Sequence, residues 1–198
     1  MEAIEKIKEI VLQAVAGAQI EIVNSTPAAQ QPALLVDREH ISAVAKFLKE
    51  DPRFEMDFCS CVTAVDYLPK GDKPGCIEVV YHLYSVAQKQ GPVVLKIRAP
   101  RELEQCRVPS LTPVWRGCEF QEREAYDLYG VKFDGHPDLR RILMWDEFTD
   151  HPMRKDYVPP ADYEWEPTPH DNTLQRAGQA HGIMPPSAAA ELEKTKKK

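Results

Sequence analysis

Two histidine–proline pairs, His136-Pro137 and His151-Pro152, stand near carboxylates at Asp138, Asp146 and Asp150, and Glu122-Arg123-Glu124 adds two more acids. Imidazole with carboxylate is the donor set of a metal-dependent hydrolase. The spacing argues against that chemistry. No HExxH, HxH or ExxH places two such ligands on one helix face. His-Pro is also ordinary turn chemistry, because proline fixes the turn and leaves the imidazole to hydrogen-bond.

Other chemistries lack their signatures. Nicotinamide or flavin binding calls for GxGxxG between a strand and a helix, and iron–sulfur binding for CxxC spacings; the chain has neither. Its five cysteines, Cys59, Cys61, Cys76, Cys106 and Cys118, are odd in number and without a secretion signal, which argues against a disulfide framework. Cys59 and Cys61 form a CxC on a strand, so both are expected on one face as small buried residues.

The densest set of ionic groups lies in residues 122–143, EREAYDLYGVKFDGHPDLRRIL. Thr112 can cap a helix, Pro113 suits its first position and Gly130 its left-handed stop. Gly117 leaves two forms open: one bent helix, or a short turn followed by a helix from about Glu119. At about 100° per residue, Trp115, Cys118, Glu122, Ala125, Tyr126 and Tyr129 share one stripe. Arg123 and Asp127 fall on its flank and Glu124 on the far side. A carboxylate in an apolar stripe is costly unless it meets a cation or several donors, and Arg140 and Arg141 are the nearest cations. The same residues also fit a solvated helix pairing Glu119 with Arg123 and Arg123 with Asp127.

The elements that must carry this stretch are legible upstream. Residues 3–16 read as a helix, 18–23 as a strand, 24–32 as a loop, 33–36 as a short strand, and 38–49 as a helix behind Asp37. Residues 54–67, 76–86 and 92–99 read as three strands joined by hairpins, hence antiparallel. The expected fold class is α+β: a mainly antiparallel sheet with helices on one face, then the charged helix and turn, then an extended tail. Three regions follow: an α+β domain over 1–99, the helix-turn region over 100–158, and a partner-binding or disordered tail over 159–198. Tyr157, Tyr163 and Trp165 are the aromatic anchors such a tail would use.

Composition narrows the function. The chain has 198 residues, 43% of them apolar and 28% charged, with a net charge of -6. That suits a globular domain and disfavours nucleic-acid binding. No apolar run approaches the ~20 residues that cross a bilayer. The opening MEAIEKIKEI is too evenly charged for a signal or transit peptide, so the chain is expected to stay where it is made.

Glu-Arg-Glu at 122–124, Asp127-Leu128, His136, Arg140 and Ile142-Leu143 resemble, without a gap, the signature of the C subunit of respiratory complex I, the 30-kilodalton subunit of mitochondria. Weaker likeness extends over 108–115 and 154–157; Tyr129 departs from the usual aliphatic residue or Phe. The resemblance implies a scaffold subunit of the hydrophilic arm of NADH:quinone oxidoreductase, a proton-translocating enzyme, without catalytic residues of its own. It implies no cofactor in this chain, with NADH, FMN, iron–sulfur clusters and quinone handled by partner subunits. Its partners would be the large quinone-pocket subunit and the terminal-cluster subunit, and its place the cytoplasmic side of the bacterial inner membrane, peripherally attached. Glu122, Arg123, Glu124, Asp127, His136, Arg140, Arg141, Tyr157, Tyr163 and Trp165 would serve the partner interface. An equivalent subunit of a ferredoxin- or coenzyme F420-linked dehydrogenase, or of a membrane-bound hydrogenase, is the alternative.

Overall fold

The computed structural model describes residues 4–26 and 29–158. Helix α1 (Ile4–Ala14) turns Ile7 and Val11 inward, with Ile4 and Ile10 partly buried against the same core. Strands β1 (Ile20–Thr26) and β2 (Ala29–Val36) pair antiparallel. Residues 24–32, expected as a loop, are instead largely strand. Backbone pairing of Asn24 with Pro32 and of Thr26 with Ala29 carries the ladder through a polar stretch, because ladder hydrogen bonds do not depend on side-chain polarity.

Asp37 sets the next corner. One carboxylate oxygen accepts the Gln19 N–H at 2.7 Å, and the other accepts the His40 N–H at 3.1 Å. Helix α2 (Ile41–Glu50) follows, with Ile41, Val44, Ala45 and Leu48 buried. Three long strands complete the sheet: β3 (Phe58–Tyr67), β4 (Cys76–Ser85) and β5 (Gln90–Pro100). The strand order is β1-β2-β5-β4-β3, antiparallel except for a short parallel join of β2 to β5. The fold is therefore α+β, with a mainly antiparallel sheet.

One cluster joins Ile7, Val11 and Leu48 from the helices to Tyr81, Leu95 and Ile97 of the sheet. It continues into Cys106, Val108, Leu111, Trp115, Cys118, Ala125 and Phe133, so residues beyond the sheet share its core. On the opposite sheet face, Ala33, Val80 and Val94 form a small cluster, and buried Glu78 accepts from Lys96 and Arg98, each at 2.8 Å. Cys59 and Cys61 do not share a face. A register shift between them in the β3–β4 ladder reverses the alternation, leaving Cys59 buried and Cys61 half-exposed, while Val62 and Ala64 point inward.

Past β5 come β6 (Arg107–Pro109), a 3-10 turn (Arg116–Cys118), α3 (Glu119–Tyr129) and β7 (Lys132–Asp134), which pairs parallel to β6. Of the two forms open at Gly117, the turn followed by a helix is found. Trp115 is extended, with φ -125 and ψ 104, and its indole donates to the Met56 carbonyl at 2.7 Å. Gly130 ends α3 as expected, at φ +74 with its N–H on the Tyr126 carbonyl.

Candidate functional site

Helix α3 sits at the centre of the charged stretch. Its buried residues are Glu122, Arg123, Ala125 and Asp127, so three of its four inward side chains are ionisable. Each is met differently.

Glu122 is fully buried, and the expected arginines do not reach it. It accepts instead from the Ser110 hydroxyl at 2.6 Å, the Leu111 N–H at 2.8 Å, the Thr112 hydroxyl at 3.1 Å and the Tyr81 hydroxyl at 3.1 Å. Thr112, a candidate helix cap by position, is part of this cradle. Four neutral donors satisfy the oxygens without a counter-charge, so burial dominates and holds the Glu122 pKa above its ordinary value.

Asp127 is the opposite case. One oxygen collects the N–H groups of Ile142, Leu143 and Met144 at 3.0, 2.7 and 2.8 Å, and the other takes the Arg141 guanidinium at 2.6 Å. Burial pulls its pKa up, but three backbone donors and the cation outweigh it and leave the pKa below its ordinary value. Near the C-terminal end of a helix a carboxylate is disfavoured by the dipole, so these donors are what keep it there.

Arg123 donates to the carbonyls of Arg140 and Arg141 at 3.1 and 3.0 Å, and its nearest ion pair is Asp138 at 3.9 Å. Arg140 is exposed and pairs with Asp138, and Glu124 is exposed on the far face of α3. His136 Nε2–H donates to the Glu119 carbonyl, and its Nδ1 accepts the Asp138 N–H, both at 3.0 Å. These contacts assign the neutral Nε2–H tautomer. His151 Nδ1–H donates to the Asp127 carbonyl at 2.9 Å, and burial lowers its pKa. The two histidines do not form a metal-capable cluster. Among the described residues that geometry occurs at Asp37, Glu39 and His40, where His40 is already bonded to Asp37 at 2.6 Å.

A second clasp was not foreseen from sequence. Asp66 on β3, 2% exposed, takes a two-pronged contact from Arg101 at 2.6 and 2.8 Å and the Lys155 N–H at 2.9 Å. Arg154 donates to the carbonyls of Tyr129 at 2.8 Å and Arg101 at 2.6 Å. Half-buried Tyr157 lies edge-on to Phe148 at 6.2 Å. Tyr163 and Trp165 lie outside the described residues.

Most of these inward charges therefore hold the chain's own backbone. The class this defines is an α+β domain whose ionic motif builds a loop. Residues 34–163 match the family described as Respiratory-chain NADH dehydrogenase, 30 Kd subunit, and the chain belongs to that family. It is similar to C subunit 2 of the NADH-quinone oxidoreductase of Rhizobium meliloti (strain 1021), 46% identical over 125 residues, 63% of this chain and 65% of that one. The chain thus spans just under two thirds of the length of that relative. The C subunit of the NADH-quinone oxidoreductase of Geotalea uraniireducens (strain Rf4) is 44% identical, covering 63% of this chain and 71% of that one. The fold is shared with a chain of the membrane-bound sulfane sulfur reductase, an archaeal respiratory membrane complex, at TM-score 0.60 and 24% identity over 93% of this chain and 95% of that one. Among the described residues no helix is long and apolar enough to cross a membrane.

Proposed function

We propose that the chain is a non-catalytic scaffold subunit of the hydrophilic arm of a proton-pumping NADH:quinone oxidoreductase. It stands beside the subunits that form the quinone pocket and supports electron transfer from NADH to quinone. It holds no flavin, iron–sulfur cluster or quinone itself. It is peripheral, on the cytoplasmic side of the bacterial inner membrane, reaching the bilayer only through the complex. The observation that carries this reading is the family match over residues 34–163, which contains the whole charged motif. The geometry supports the scaffold half of it. Glu122, Arg123 and Asp127 are satisfied inside the chain: Glu122 fastens residues 110–112, and Arg123 and Asp127 serve an interface through the loop they hold.

The experiment is to tag the chain in its native host, solubilise membranes gently and identify what co-purifies. Flavin- and cluster-bearing subunits of the oxidoreductase are expected. A cradle variant, Glu122→Ala, is expected to lower the amount of assembled complex while each assembled particle reduces quinone at the normal rate. Full assembly with slow turnover would instead point to a direct catalytic part for these residues.

A further inference from the structure

Resting on that reading, a specific surface can be assigned to the docking. Residues 139–157 contain no helix or strand, yet their backbone is fixed at many points. Asp127 takes three successive N–H groups, and Arg123 holds two carbonyls. Arg141 reaches the Asp150 carbonyl at 3.1 Å, and the Met153 N–H meets the Leu128 carbonyl at 3.1 Å. These contacts grip main chain; Arg141 and Phe148 turn inward, while other side chains of the loop face outward.

Three of the outward side chains are large and apolar. Ile142 is 38% exposed, Leu143 62% and Met153 52%. Ile142 and Leu143 stem from backbone bonded to Asp127, and Met153 from backbone bonded to Leu128, the next residue of α3. Ordering such a loop costs backbone entropy at every residue, and here the outcome is apolar surface held toward water. Asp146, Glu147 and Asp150, all exposed, fall between Leu143 and Met153 in the loop's sequence.

We propose that Ile142, Leu143 and Met153 form a preformed ridge that seats in an apolar hollow rimmed by Lys or Arg on the neighbouring subunit. The loop's acids decide among occupants. An anionic lipid surface is repelled by three carboxylates. A second copy in a two-fold contact would set Asp146, Glu147 and Asp150 against their own equivalents. A basic-rimmed groove satisfies both the apolar ridge and the loop's acids.

The test uses the full-length tagged chain in its native host, as wild type, as L143D/M153D, and as the reversal D146K/E147K/D150K. The readout is the fraction migrating with the oxidoreductase subunits on native gels, with the melting curve of each isolated chain alongside. L143D/M153D is expected to lose co-migration by about tenfold or more at an unchanged melting temperature, as for a central interface anchor. The reversal is expected to weaken co-migration and to remove its sensitivity to salt. Normal assembly of L143D/M153D would overturn the ridge. So would a self-associated wild-type chain that the double variant disperses, or faster amide exchange across residues 159–198 in the isolated double variant; these would hand the ridge to a second copy or to the chain's own tail. A wild-type chain that never co-migrates would overturn the underlying functional reading instead.

Discussion

Glu122 and Asp127 lie five residues apart on one helix and are driven in opposite directions by their donors. Neutral hydroxyls and one N–H leave burial in control at Glu122, whose pKa is raised; a cation and three N–H groups lower that of Asp127. For Glu122 the neutral acid is the form that folding favours. Its contribution to stability is therefore fullest below the ordinary glutamate value of 4.5 and declines as pH rises through the higher native value. Glutamine can keep the cradle, its oxygen accepting from Leu111 and Tyr81 and its amide donating to the Ser110 and Thr112 hydroxyls. Glu122→Gln is accordingly expected to gain on wild type as urea midpoints are measured from pH 4.5 to 8. Glu122→Ala should lose about 2–4 kcal/mol, from stranded donors and a cavity. A gap between Gln and wild type that does not change with pH would contradict this account. The sequence exposed the problem, a carboxylate in an apolar stripe, but not its solution. Tyr81 comes from a strand 41 residues away, and no local spacing reports such a partner.

Among the elements, the central trio of strands and α3 were legible because periodicity, turn residues and the Gly130 stop agree. What escaped was set by pairing across the sheet. The register shift between Cys59 and Cys61 flips the face of every later residue of β3, and CxC spacing alone carries no trace of it. The loop over 139–157 escaped for a related reason: side chains, not a repeating backbone pattern, give it its shape. Asp127 is its principal fastening. Replacing it by asparagine turns one acceptor into a donor, so either the Arg141 contact or the N–H triplet must fail. Asp127→Asn is expected to speed amide exchange at Ile142, Leu143 and Met144, lowering their local opening free energy by about 1.5–3 kcal/mol, the usual worth of a hydrogen bond to a charged group. Exchange in β4 and β5 should hold. Unchanged protection at the three amides would mean that the loop is fixed by something else.

Taken as one body, residues 4–157 combine two kinds of cohesion. The sheet, α1, α2 and the segment from Cys106 to Phe133 share one apolar core, whose strength does not depend on carboxylate charge. The loop beyond Leu139 depends on two carboxylates, Asp127 and Asp66. At Asp66, too, burial raises the pKa and is outweighed, here by Arg101, the Lys155 N–H and the charge of Arg154, for a net lowering. A lowered carboxylate contributes stability that is present above its ordinary value of 3.8 and is lost as pH falls through the native value. Glu122, with its raised pKa, is already in its favoured neutral form there and does not join the loss. Acid should thus release the loop before it melts the core. Brief pepsin pulses at stepwise lower pH, read by mass spectrometry, are expected to cut first within 139–157 while β3, β4 and β5 stay whole. First cuts inside those strands, or all cuts appearing at one pH, would show that loop and core are a single cooperative unit and that the two aspartates are not its acid-labile fastenings.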